Sequence, residues 1–194
     1  MYLIVLLSVS IHSCYIGSKV VVSLLALELG ASQLLVGIIA AFYALVPLLL
    51  GVYAGRLADT IGMRLPMLIG AICTGAAMVT GLMWPQLAGL FAVSILMGAG
   101  FVLFNVSIQN LAGGFGPPER RAHNFSVLSI GYSLSGFLGP TFAGFSIDRA
   151  GHASTFGFFA LFTLLAVCIL TFNRRLTQAH APAAATKSRS ALDL

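Results

Sequence analysis

Lys19 and His12 are the side chains of this sequence best placed to do chemistry. Both lie inside a long apolar run, where an ammonium either faces a polar cavity or snorkels along its stem toward the headgroups, and where a histidine is either a polar site or a packed core ring. The imidazole can take up or release a proton near neutral pH. They stand seven residues apart, about two helical turns, so a helix brings them to one face. Lys19 precedes Glu28 by nine residues, which is about 13.5 Å along a helix and near the middle of a roughly 30 Å hydrocarbon layer. Asn105 and Gln109 are four apart in another apolar run and also share a face, with Asn110 beside them. Such groups line a polar path or join helices by hydrogen bonds. Catalysis has no comparable support. Asp59, Glu119, Asp148 and Asp193 fall in polar breaks or in the tail, and no two are paired across a pocket. The stretch "LSIGYSL" lacks the strand–turn–helix setting of a serine nucleophile. Cys14, Cys73 and Cys168 have no metal-ligand spacing and read as small apolar residues. The expectation is a binding and conducting protein: no enzyme, no metal and no cofactor, with the proton as a candidate coupling ion.

The elements that hold these residues are set by composition. Of 194 residues 59% are apolar and only 8% are charged, against about 25% in a soluble domain. So few charges cannot coat a soluble protein of this size, and the lipid bilayer is the expected solvent. About 20 apolar residues span it as a helix. Six such segments are expected, near residues 3–27, 34–54, 65–84, 87–111, 125–147 and 154–172. They do not alternate apolar and polar residues, as barrel strands would. The first is too long for the core of a signal peptide and lacks its basic flank. The fold class is therefore all-α, with a six-helix bundle over 1–172. Residues 173–194 are expected to form a basic flexible tail or the start of a linker.

Charge gives the expected orientation. Six crossings leave both termini on one side. Eight of the ten basic residues fall on that side, in the breaks around Arg56 and Arg64, around Arg120 and Arg121, and in the tail. Arg149 alone falls on the other. Basic loops stay in the cytoplasm, so both termini are expected there, in a multi-pass protein of the cell membrane. Anionic lipid accounts for the net charge of +5. No basic stripe with interleaved aromatics calls for nucleic acid.

One polar break carries more than charge. "GRLADTIGMR" (residues 55–64) joins spans two and three. Its Gly55, Leu57, Ala58, Asp59, Gly62 and Arg64 match the pattern G-x-L-A-D-x-x-G-x-R, which resembles the signature loop of the major facilitator superfamily. Thr60 and Met63 stand where the family usually has basic residues. "ELGAS" at 28–32 resembles the family's first outer loop, and "PPERR" at 117–121 its cytoplasmic loop before span five. "GPTFAG" at 139–144, with Gly139, Pro140 and Gly144, is similar to the antiporter motif of span five, although Ser135 replaces an upstream glycine. Gly98 and Gly100 are present in span four, but Ser94 stands where many antiporters carry arginine.

The resemblance implies the N-terminal half of a transporter. Its cargo would be a small molecule, moved by secondary active transport through alternating access, with proton-coupled export as the antiporter form. The partner would be a second six-helix half, from a longer chain or from a dimer. His12, Lys19, Asn105 and Gln109 are then the substrate or coupling candidates, and Gly55, Asp59, Gly62 and Arg64 the gating loop. The alternative reading is a membrane half-domain or scaffold that does not itself transport. Glycines at 98, 100, 131, 136, 139 and 144 are expected to let helices approach closely. Pro47 and Pro140 are expected to bend spans two and five.

Overall fold

The computed structural model describes residues 1–173. The tail expected from 173 onward lies, beyond Asn173, outside the described residues. Among the described residues, five helices are long and apolar enough to cross a membrane. They are α1 (Tyr2–Glu28), α2 (Gln33–Ile61), α3 (Arg64–Met83), α4 (Leu87–Gly113) and α5 (Arg121–Phe172). A short 3₁₀ turn, Pro118–Arg120, leads into α5.

Five elements stand where six segments were expected, and the reason is local. The segments expected at 125–147 and 154–172 belong to one element of 52 residues, interrupted only at Gly151. A straight helix of that length would run about 78 Å, far beyond one crossing of a bilayer. Gly151 has φ 80° and ψ 171°, a conformation that L side chains rarely adopt. There the chain reverses. Phe142 and Phe162 are twenty residues apart, yet their ring centroids lie 5.4 Å apart. Thr155 Oγ1 also donates to Ser146 Oγ across the turn, at 2.9 Å. The expected connection is thus compressed into a single non-helical residue. Helix continues through Pro47 and Pro140, so neither proline ends its element.

Other turns follow their sequences. Gly62 closes α2 at φ 82°. In "ELGAS", Ser32 caps α2, its Oγ accepting from Leu35 N at 3.3 Å. Asn124 is buried and donates to the carbonyls of Ala112 (3.1 Å) and Phe115 (2.5 Å), fixing the path from α4 to α5.

Helix α1 packs chiefly against α5, and α4 against both α2 and α3. The buried side chains form two clusters stacked along the bundle. One gathers Val21, Tyr43, Met97 and Phe156; the other gathers Ile11, Met67, Phe104 and Leu170. Lipid tails are as apolar as leucine, so close backbone contact must replace the hydrophobic drive between helices. Two crossings supply it. A Cβ built on Gly70 would stand 2.6 Å from Gly100 O, and one on Gly100 would stand 2.7 Å from Gly70 O. Gly139 faces Gly17 and the carbonyl of Ser13 in the same way. Gly98 and Gly131 also meet a neighbouring helix, but Gly136 and Gly144 have nothing within 4 Å of a built Cβ. The expected close approach therefore holds at 98, 100, 131 and 139 and fails at 136 and 144.

Candidate functional site

The open, partly exposed face of α1 carries His12, Tyr15 and Lys19. Spacings of three and four residues stack them over two turns. Tyr15 lies flat on Phe101 of α4, with centroids 3.7 Å apart and planes 12° from parallel. The Lys19 ammonium sits 4.3 Å from the Tyr15 ring centre and 5.5 Å from that of Tyr43. Ring faces attract a cation through their quadrupole.

The hydroxyls around Lys19 serve one another. Tyr15 donates to Tyr43 O at 3.0 Å, Tyr43 donates to Ser18 Oγ at 3.2 Å, and Ser18 donates to Tyr15 O at 2.9 Å. Among the described residues no carboxylate pairs with Lys19, and the sole contact of a carboxylate with a basic side chain joins His152 Nδ1 to Glu28 Oε2 at 3.0 Å. The ammonium thus rests against two π-faces, on a residue that is partly exposed.

His12 is only half-buried. Its ring meets Tyr132 of α5 at 4.5 Å, Phe101 at 5.1 Å and Tyr15 at 6.2 Å. Asn105 Oδ1 accepts from the Tyr132 hydroxyl at 2.9 Å, which ties α4 to α5. Asn105 is therefore a helix-joining residue that is also partly exposed. Gln109 lies one turn further, at the end of the bundle that holds Met63 and Arg121. His12, Lys19 and Asn105 are thus linked through aromatic rings, and Gln109 lies beside Tyr132 toward one end of that face. Tyr15, Tyr43, Phe101 and Tyr132 do the linking, and their types alone do not mark them. Only Tyr15 carried a usable signal, lying between His12 and Lys19 at helical spacing.

The "GRLADTIGMR" stretch divides by role. Asp59 is exposed near the end of α2, and no ion pair involves it among the described residues. Arg64 opens α3, and its Nη2 reaches the carbonyls of Leu170 (3.3 Å) and Thr171 (3.4 Å) at the end of α5. A guanidinium there answers the partial negative charge of a helix C-terminus. Gly55 has open space around a built Cβ. At the span-four position where arginine would stand, Ser94 is buried and donates to Leu90 O at 2.8 Å. Among the described residues no group of His, Cys, Asp and Glu could hold a metal ion.

The described residues thus form a multi-span helical bundle with a lysine, a histidine and an amide along one partly exposed face. A model of the Major Facilitator Superfamily matches residues 2–193, and the chain belongs to that family. The family is one of non-catalytic transporters, so the protein is not an enzyme. Solved structures of a peptide transporter, POT, share the fold. Its sulfate complex gives a TM-score of 0.80 at 20% identity, covering 98% of this chain and 42% of that one. A POT variant gives 0.82 alone and 0.80 with alafosfalin, each at 20% identity and with 43% of its chain covered. The chain thus spans less than half the length of these transporters. At such identity the likeness carries the fold and leaves the cargo open. No curated protein matches the chain in sequence.

Proposed function

We propose that this bundle is one half of a secondary active transporter that moves a small molecule across the cell membrane by alternating access. The supporting observation is the face of α1, α4 and α5 on which Lys19, His12 and Asn105 meet. Groups of that polarity are costly against lipid and belong on a water-filled path. A second six-helix half, from a longer chain or a dimer partner, closes that path from the opposite side, and the two rock about a central site. Lys19 attracts an anionic or polar cargo, and Gln109 lines the path toward one mouth. His12 is the titratable group left on the path for proton coupling, since Ser94 cannot take that role. Antiport with protons is the form that Gly139, Pro140 and Gly144 favour by resemblance.

In this reading the two arms of α5 each cross the membrane, giving six crossings and cytoplasmic termini. Single cysteines at Gln86, Ala150 and Ser188, in a background without the native cysteines, test it. An impermeant thiol reagent outside intact cells labels the first two and spares the third. Labelling at Ser188 in sealed cells contradicts the orientation.

Asp59 serves as a gate contact for the second bundle, which its exposure and its lack of an ion pair among the described residues support. Asp59→Asn in the complete protein lowers transport by roughly tenfold, the scale of one lost charge-assisted hydrogen bond, and leaves insertion intact. An unchanged rate across a cargo titration would remove Asp59 from the mechanism.

A further inference from the structure

A recess of about 330 Å³ opens between the end of α4 and the start of α5, lined by Gln109, Asn110, Gly113, Gly114 and Arg121, with Met63 and Phe125 as its apolar walls. Its polar groups are positioned and largely uncommitted. Arg121 Nε donates to Gly113 O at 3.0 Å, which anchors the guanidinium against the last turn of α4. Among the described residues its terminal Nη groups have no protein acceptor, and no carboxylate pairs with it. The Asn110 side chain is exposed and makes no hydrogen bond to the described residues.

The frame is fixed from behind by buried Asn124, whose two hydrogen bonds hold the backbone of Ala112 and Phe115 on either side of the glycines. Glycine keeps the recess open, because a Cβ on Gly113 would come within 3.0 Å of Phe125 Cζ. No acidic residue lines it. The level matters too. The recess lies where two apolar helices end, which is headgroup depth in a bilayer.

We propose that this recess binds a phosphate-type oxyanion, carried by an anionic phospholipid headgroup or by a soluble phosphate ester. A planar guanidinium with its terminal donors free matches two oxygens of a phosphate. Asn110 supplies a further donor from one side. Phe125 and Met63 provide apolar contact for the carbon skeleton next to the phosphate. The proposal concerns a site at the end of the bundle and does not depend on the transport reading.

Purified complete protein in nanodiscs tests it. Native mass spectrometry reads retained phosphatidylglycerol against phosphatidylcholine. Wild type prefers the anionic lipid about tenfold, the scale of a charge-assisted pair, and Arg121→Gln loses the preference while Arg121→Lys keeps part of it. Arg120→Gln, outside the recess, leaves it unchanged. A parallel arm titrates glycerol 3-phosphate in phosphatidylcholine nanodiscs and reads thermal unfolding. Stabilisation there, absent in Arg121→Gln, assigns the site to a soluble ester; anionic lipid retained against that titration assigns it to the headgroup. Should Arg121→Gln fold poorly, Asn110→Leu must lower the preference several-fold instead. Equal retention of both lipids by wild type together with no response to glycerol 3-phosphate overturns the proposal, as does a preference that survives Arg121→Gln.

Discussion

Lys19→Ala weakens binding of an anionic cargo by the complete protein about 10- to 100-fold, while Lys19→Arg retains most of the affinity. The range follows from a charge-assisted hydrogen bond of about 1.5–3 kcal/mol. The physical basis is the environment of the ammonium. It rests over two tyrosine rings and lacks a carboxylate partner among the described residues, while the nearby hydroxyls are occupied with each other. A structural lysine behaves differently: both substitutions then lower folded yield alike. Ligand binding measured beside thermal unfolding separates the two. Wild-type affinity in a well-folded Lys19→Ala protein removes Lys19 from the site and transfers its role to Asn105 and Gln109.

The second large effect concerns stability. Gly100→Ala places a methyl group 2.7 Å from Gly70 O and 2.8 Å from Thr74 N. Both obstacles are backbone, so no rotamer change relieves them, and α3 must move away from α4. Overpacking of this kind costs typically 1–3 kcal/mol. Gly144→Ala is the matched contrast. Nothing lies within 4 Å of its built Cβ, and alanine favours helix over glycine by about 1 kcal/mol. Thermal unfolding in detergent should show a lowered midpoint for Gly100→Ala and an unchanged or raised one for Gly144→Ala. Equal destabilisation of the two would refute the assignment of α3–α4 contact to Gly100.

These two glycines also show what a sequence can disclose. Helix and membrane character were legible because apolar runs of spanning length leave no other fold. Loop positions were legible because charge and glycine gather there. Which glycines touch a neighbour was not: Gly139 and Gly144 share one motif, yet only Gly139 faces α1. Helix rotation decides that, and small residues are spread too evenly around these spans to fix it. The break at Gly151 was legible as a polar connection, but its reduction to a single non-helical residue was not. The pair of Glu28 and His152 links residues 124 positions apart and left no local trace. In the site, Lys19 and His12 stood out because charge and imidazole are rare inside apolar runs. Tyr43, Phe101 and Tyr132 did not, because aromatic rings are ordinary in such runs and become a site only when three helices converge.

The central claim is that the face shared by α1, α4 and α5 borders water rather than lipid. Cysteine accessibility in the complete, membrane-embedded protein tests it most directly. In a background lacking Cys14, Cys73 and Cys168, single cysteines replace Asn105 and Tyr132 on that face, and Ile72 and Leu161, both more than half exposed on the bundle's outside. A small water-soluble thiol reagent, supplied to both sides of the membrane, is predicted to modify the first two at least about tenfold faster, since thiolate forms readily in water and hardly at all in lipid. Equal rates at all four positions, or faster modification of Ile72→Cys and Leu161→Cys, would contradict the claim.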